Sequence, residues 1–530
     1  MDFTTHDQLL LLALLVAMVV LLVAAPIVRI PYPIFLVLGG LALGFVPGIP
    51  SIELPPDVVL VAVLPPLVYS AAYYTSLRDL RANARPLALL SIGLVIFTTL
   101  TVAVAAHELV GGFSWSAAFV LGAVVSPTDP LAATQIAHRL GVPRRVIAII
   151  EGEGLINDGT ALVLYKVAVA AVVAGTFSLV HASLLFVWSV VGGIGIGLVV
   201  GYLIAAVRRP LNNPPVEVTI SLMSGYFAFI PAAAAHASGV LAVVAAGVYL
   251  GWHTPELTNV QSRLQGEALW EILTFVINAL LFAVVGLQLP HILDDLKGTS
   301  TTSLADDALI VCGAVILTRI VWVPVFTYLP RWLFPRIRAR DPYPPLSYPI
   351  VISWAGLRGA VSLAAALALP LTTRDGSDFA ERNLIVFLTF CVIFATLVVQ
   401  GLTLPGLIRL LGLEDDGVAE REDAKARIKA AEAALARLDQ LLDEEWVNED
   451  TARRLRGTYE FRRTRFTSRF DDGDDGAIEE RSLNFQRLRR ELLEAERAAI
   501  VDLRRQGVIN DDVMHRLERD LDLEDARLDV

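Results

Sequence analysis

The stretch SWSAAFVLGAVVSPTDPLAATQIAHR, residues 114–139, begins as an apolar helix and is interrupted by Ser126-Pro127-Thr128-Asp129-Pro130. Proline removes a backbone donor and steers the residue before it away from helical geometry. The helix therefore unwinds in the middle of a segment long enough to cross a membrane, for which roughly 20 residues suffice. Unwinding frees carbonyls and presents the Thr128 hydroxyl and the Asp129 carboxylate at one place. A hard cation such as Na⁺ is held by a cage of oxygens, and this segment supplies several. The plainer reading is a kink in which Asp129 caps the following half-helix; the two roles are compatible.

Working outward, hydropathy and the Pro, Gly and charge breaks give about 13 transmembrane helices. They cover 8–28, 34–49, 57–75, 86–108, 114–139, 146–174, 183–206, 217–236, 239–252, 267–290, 306–330, 347–370 and 382–410. The connecting loops test this count. One alternate set carries Arg29, Arg78, Arg81, Arg85, Arg139, Arg144, Arg145, Arg208, Arg209, Arg263, Arg331, Arg336, Arg338, Arg340 and Arg409. The other carries only Lys297, Arg374 and Arg382. Positive charge stays on the cytoplasmic side, so the N-terminus is expected outside and the C-terminal tail in the cytoplasm. Spans 1–6 and 8–13 resemble each other. Their second members are both short, and their fifth members, spans 5 and 12, are both broken, the latter at Gly356-Leu357-Arg358-Gly359. An offset of seven inverts the second copy, and paired interrupted helices in inverted repeats point to the binding site of a secondary transporter. The expected fold is an all-α polytopic membrane protein of two inverted repeats with broken helices 5 and 12, plus a helical cytoplasmic tail.

The composition agrees. Of 530 residues 55% are hydrophobic and 18% charged, against about a quarter charged in soluble domains. The net charge of −11 is concentrated beyond about Leu411, and nothing in it points to nucleic acid as a partner. Met1–Asp7 lacks the basic region of a signal peptide, so the first apolar run is read as a span. Cys312 and Cys391 lie in apolar stretches as small core residues. Residues 1–412 are expected to form the membrane domain and 413–530 the tail. In the tail Ile428, Ala431, Leu435, Leu438 and Leu442 form one helical stripe, Asp471–Gly476 is an acidic linker, and two more amphipathic helices follow.

Ionisable groups at membrane depth cost at least ~2.5–3.5 kcal/mol each, and five need an account: Asp129, Glu153, Asp158, Arg319 and Arg358. Asp158 follows Asn157 well inside span 6. Loss of water penalises its charged form, and either a proton or a cation relieves that penalty. One group that holds one or the other is all that 1:1 exchange requires. Asn157 adds a polar amide and no second charge. Glu153 is five residues earlier and points about 140° away around the helix. An ion pair with Arg319, in the middle of span 11, would neutralise both. Arg358 at the break in span 12 compensates the half-helix ends there or tunes Asp129.

SPTDPLAAT, GEGLINDGTALVLY, HASGVLAVVAAGVYLG, INALLFAVVGLQLP and SWAGLRGAVSLAAAL resemble, in order, the monovalent cation:proton antiporter-1 family of sodium/proton exchangers. The resemblance covers the whole membrane region, and LLEAERAAIVDLRRQGVINDDVMHRLERDLDLEDARL is similar to the tails of a bacterial subgroup. It implies a 13-helix inverted repeat, a homodimer in the cell membrane, a core of crossing broken helices, and no cofactor. It makes Asp158 the ion- and proton-binding carboxylate, Asn157 its partner, and Thr128 and Asp129 part of the Na⁺ site. It pairs Glu153 with Arg319, and its Asn-Asp signature goes with electroneutral exchange. Two positions depart from the family pattern: Gly154 where many members have serine, and Ser70 where many have an acid after the Pro65-Pro66 motif of helix 3. Both bear on ion preference, so a K⁺-preferring antiporter stands as the alternative. The tail is expected to be regulatory or dimer-stabilising. A cation channel needs no titrating carboxylate. An intramembrane aspartyl protease needs two acids sharing a proton, and its Tyr-Asp and Gly-x-Gly-Asp signatures are absent.

Overall fold

The computed structural model describes residues 5–28, 30–46, 58–174, 179–296, 300–372, 379–468 and 477–526; Arg29, Lys297, Arg374 and the acidic run 471–476 lie outside the described residues. Two compact units form, Met1–Asp415 and Asp416–Val530.

Among the described residues the first unit is a bundle of helices that group into thirteen segments, eight of them long and apolar enough to cross a membrane, with no strand. Spans 1 to 4 are Thr5–Val28, Tyr32–Gly44, Val58–Tyr74 and Ala84–Leu109. Span 5 is two half-helices, 5a (Trp115–Val125) and 5b (Leu131–Arg139). Spans 6 to 11 are Arg144–Ala174, Leu179–Arg208, Pro214–Ala234, Gly239–Leu257, Val260–Leu287 and Thr301–Leu333. Span 12 is again two halves, 12a (Ser347–Trp354) and 12b (Ala360–Leu367), and span 13 is Arg382–Leu410. Local chemistry sets several starts: the side chains of Ser114, Ser238 and Asn259 accept from the backbone N–H three residues on, at 3.3, 3.3 and 2.8 Å, which supplies a first-turn donor with its missing partner. Span 9 is longer than the 239–252 read from hydropathy. Its backbone stays helical through the polar His253-Thr254-Pro255-Glu256 to Leu257, where the hydropathy signal has already stopped.

The packing repeats under the offset of seven. Span 2 packs on span 10 and span 9 on span 3; 1 packs on 2 as 8 does on 9; 4 packs on 5 as 11 does on 12; and 6 contacts 4 and 5 as 13 contacts 11 and 12. Shifting every number by seven maps each pair onto another observed pair, which is what two copies of one six-helix unit produce. The close crossings use glycine. A Cβ on Gly40 would overlap the Ala283 carbonyl, and one on Gly286 would overlap the Val37 carbonyl. Without a hydrophobic force between helices in lipid, such close van der Waals approach carries association.

In the second unit, Val418–Leu441 pairs with Glu449–Ser468, and Ala477–Arg505 with Asp511–Ala526. Ala431 and Leu435 of the sequence stripe are buried, together with Ala424, whereas Leu442 falls past the helix end and is exposed. The helix Glu449–Ser468 was not read from sequence. It is rich in arginine and lacks a broad apolar stripe; Arg456 pairs with Asp439, and Phe466 is buried.

Replacing Gly286 by alanine should lower the melting midpoint of the solubilised protein, by an overpacking cost of about 1–3 kcal/mol. Alanine at Gly313, where a Cβ meets nothing within 4 Å, should leave the midpoint unchanged or raise it. Equal melting of the two variants in a detergent thermal-shift assay would refute the role given to Gly286.

Candidate functional site: the crossing of two broken helices

Breaking a helix inside a membrane strands backbone groups that no water can reach, so their partners define the site. In span 5, Pro127 has no N–H to offer Ala123, and the Ser126 hydroxyl donates to that carbonyl instead at 2.9 Å. The next stranded acceptor, Val125 O, takes a hydrogen bond from Arg358 Nε at 3.2 Å. Asp129 N donates across the crossing to Leu357 O at 2.8 Å. In span 12, Ile352 O and Ser353 O accept from Arg319 at 2.9–3.2 Å. Arg358 also donates to Gly356 O, and its own N–H donates to Thr396 Oγ1 at 3.1 Å. The chain breaks are thus sewn to each other and to two buried arginines.

The charges follow the half-helix dipoles. Arg358 lies on the C-terminal ends of 5a and 12a, where the macrodipole is negative. Asp129 lies at the N-terminal ends of 5b and 12b: its Oδ1 accepts from Leu131 N at 2.9 Å, and its carboxylate rests against Gly359. A Cβ there would overlap Asp129, and a Cβ on Gly356 would overlap the Arg319 side chain. The two glycines of Gly-Leu-Arg-Gly make the crossing sterically possible.

Span 6 supplies the wall behind the crossing. Arg319 and Glu153, 1% and 2% exposed, form a two-pronged ion pair with Nη2–Oε2 at 2.8 Å. Thr128 Oγ1 donates to Glu153 Oε1 at 3.0 Å, and Asn157 Nδ2 donates to Thr128 Oγ1 and O at 2.7 and 3.1 Å. Asn157 therefore clamps the unwound segment, and the Thr128 hydroxyl is engaged on both sides. Ser91, in a π-helical turn of span 4, donates to Glu153 O at 3.2 Å. Gly154 gives its space to the Pro130 ring.

Asp158 is placed differently. Its carboxylate makes no hydrogen bond among the described residues and lines a cavity of ≈ 420 Å³ shared with Thr128, Asp129 and Ser70. The cavity extends to Tyr74, Thr75 and Glu151, at the arginine-bearing ends of spans 3 and 6. Thr128, Asn157, Glu153, Arg319, Asp129 and Arg358 are thus one connected network, while Asp158 faces open space beside it. Among the polar groups of this cavity that sequence reasoning missed, two stand out. Asn278, a lone amide in the apolar run of span 10, lines it from the opposite wall; the run INALLFAVVGLQLP contains that signal. Glu151 lies 3.4 Å from His138 Nε2, a pairing of two spans that no spacing reveals.

The transmembrane family model described as "Sodium/hydrogen exchanger" matches residues 12–410. The chain belongs to the sodium/hydrogen exchanger family. This exchanger is 39% identical to an uncharacterized Na⁺/H⁺ exchanger of Mycobacterium tuberculosis over 99% of this chain and 97% of that one. It is 31% identical to the low-affinity Na⁺/H⁺ antiporter NhaS1 of Synechocystis, over 83% and 81% of the two chains. It is 33% identical to the sodium, potassium, lithium and rubidium/H⁺ antiporter of Bacillus subtilis, over 71% of this chain and 57% of that one. Its fold is similar to that of the sodium proton antiporter MjNhaP1 from Methanocaldococcus jannaschii, with TM-score 0.61 at 19% identity, covering 77% of this chain and all of that one. The exchanger is a multi-pass membrane protein and a secondary transporter that moves monovalent cations against protons.

In this exchanger, Arg319→Gln alone should leave Glu153 buried without a counter-charge and cost about 3–5 kcal/mol. Adding Glu153→Gln should recover more than half of that loss. A double-mutant cycle on thermal midpoints reads the coupling; additive losses would show that the two side chains do not stabilise as a pair.

Proposed function

We propose that the exchanger trades one Na⁺ for one H⁺, with Asp158 binding each in turn. The observation that carries this reading is the isolation of one carboxylate. Of the acids lining the cavity, Asp129 caps 5b and Glu151 meets His138, whereas Asp158 has no partner among the described residues. A group already held by arginine or a backbone donor gives up little on releasing a proton. An unpartnered one must take up a proton or a cation. Asn157 contributes no charge, so swapping one cation for one proton moves none, and exchange is electroneutral. Asp129 and Thr128 supply further oxygens to a Na⁺ at Asp158, and Ser70 contributes a neutral hydroxyl to the wall of its approach. Glu153 and Arg319 hold span 6 against spans 11 and 12 and stay out of the cycle; Arg358 compensates the crossing.

The arginine asymmetry supports an N-terminus outside the cell membrane and residues 416–530 in the cytoplasm, with the cavity as the inward-facing approach. The protein works as a homodimer embedded in lipid, with the tail unit regulating exchange or stabilising the dimer. A second reading, K⁺ preference, is favoured by the broad ion range in the name of the Bacillus subtilis relative and by Ser70 standing where an acid would add charge.

Asp158→Asn should abolish Na⁺-dependent dissipation of a pH gradient in everted vesicles while the purified variant stays folded, and normal exchange by that variant sinks the mechanism. Because proton and cation compete for one carboxylate, the half-saturating Na⁺ concentration should rise in proportion to proton concentration as pH falls; a pH-independent value would contradict a shared site. Running Na⁺, Li⁺ and K⁺ side by side separates the two ion readings. Deleting residues 416–530 and finding the same pH profile would remove the regulatory role of the tail.

A further inference from the structure

Away from the cavity that holds Asp158, the arginine-bearing ends of spans 4, 6 and 11 converge on one acid. Arg145 Nη2, from the first turn of span 6, donates to Asp341 Oδ1 at 2.7 Å. Arg331, from the last turn of span 11, pairs with the same carboxylate and donates from Nε to the Asp341 carbonyl at 3.1 Å. Arg85, in the first turn of span 4, comes only to 3.8 Å from Asp341 Oδ2. Its Nη1 and Nη2 are shielded from solvent and have no hydrogen-bond partner among the described residues. The nearby acid Asp79 is already taken by Arg144 at 2.8 Å.

Three guanidiniums against one carboxylate leave two positive charges in excess. Arg85 and Arg145 also sit where their helices begin, so two positive macrodipole ends meet there against the one negative end, of span 11, at Arg331. Arginine does not shed its proton to escape such a place. The cluster is therefore built to hold a further negative charge. A cavity of ≈ 50 Å³ touches Arg85, Arg145, Arg331 and Asp341. One water needs about 10–15 Å³ on this measure, so a tetrahedral oxyanion fits. The opposite wall is apolar, with Leu89, Trp322 and Phe326, and Trp322 is tied by its indole N–H to Leu89 O at 3.1 Å. Guanidinium forks and apolar side chains around one cavity are the surroundings that a phosphate group with a hydrocarbon neighbour fills.

We propose that this cluster is an anion site that takes a phosphate group, with Arg85 as its free arm. Arginine forks match phosphate oxygens with paired, charge-assisted hydrogen bonds. The phosphate comes from a phospholipid headgroup or from free phosphate, and the two sources are separable.

The full-length protein in non-ionic detergent is titrated with phosphatidylglycerol, phosphatidylcholine or inorganic phosphate while its melting midpoint is followed. Phosphatidylglycerol, inorganic phosphate, or both should raise the midpoint saturably. A shift with phosphatidylglycerol alone assigns the site to lipid; a shift with inorganic phosphate assigns it to the free anion. Arg85→Gln should raise the half-saturating concentration by about tenfold or more, the weight of a hydrogen bond to a charged group. Arg336→Gln, at an exposed arginine of the same face, should leave it unchanged. If Arg85→Gln does not survive solubilisation, Arg85→Lys keeps the charge, loses the fork, and should still bind several-fold more weakly. The proposal is overturned if neither anionic probe shifts the wild type, or if the Arg85 variants half-saturate where the wild type does.

Discussion

The rest of the membrane unit depends on one constraint: a helix broken in the middle of a bilayer must find protein partners for every backbone group it strands. Spans 5 and 12 solve this for each other. Asp129 N reaches the Leu357 carbonyl, and Arg358 reaches back to the Val125 carbonyl. These bonds fix the crossing point, which fixes where Thr128 and Asp129 face span 6, which fixes the position of Asn157 and hence of Asp158 beside it. The two buried arginines serve as backbone caps as much as counter-charges. Arg319 alone satisfies two carbonyls of 12a and both oxygens of Glu153.

The charges divide accordingly. Glu153, Arg319, Arg358 and Asp129 are each matched to an opposite charge, a helix end or a stranded carbonyl. Asp158 has no such match among the described residues. Its neighbour Asn157 spends its amide donors on the unwound segment and brings a dipole without a second charge. A neutralised lattice thus stands beside a carboxylate that faces the cavity.

Much of this was legible in the sequence because it is written in local chemistry. Pro127 and Pro130 announce the break in span 5, and the run of apolar residues around Asp158 makes it conspicuous. The arginine asymmetry counts the spans. What was not legible depends on contacts between segments far apart in the chain. No spacing shows that Arg358 lands on Val125 O, or that His138 and Glu151 meet. The clearances at Gly356 and Gly359 are invisible until Arg319 and Asp129 are in place. In the tail, Glu449–Ser468 went unread because its packing rests on a few side chains and on paired charges instead of a continuous apolar stripe.

The glycine at 154 shows how such clearances bear on chemistry. Read as a sequence, it is a missing hydroxyl; in the fold, its Cβ position belongs to the Pro130 ring. A side chain at 154 would push against the segment that carries Thr128 and Asp129, so the residue acts on the site through the position of span 5. Ser70 differs in kind, because it lines the cavity itself. An acid there would put another negative charge on the wall of the space that Asp158 faces. The two departures from the family pattern therefore differ physically: one bears on the position of span 5, the other on the charge of the cavity wall.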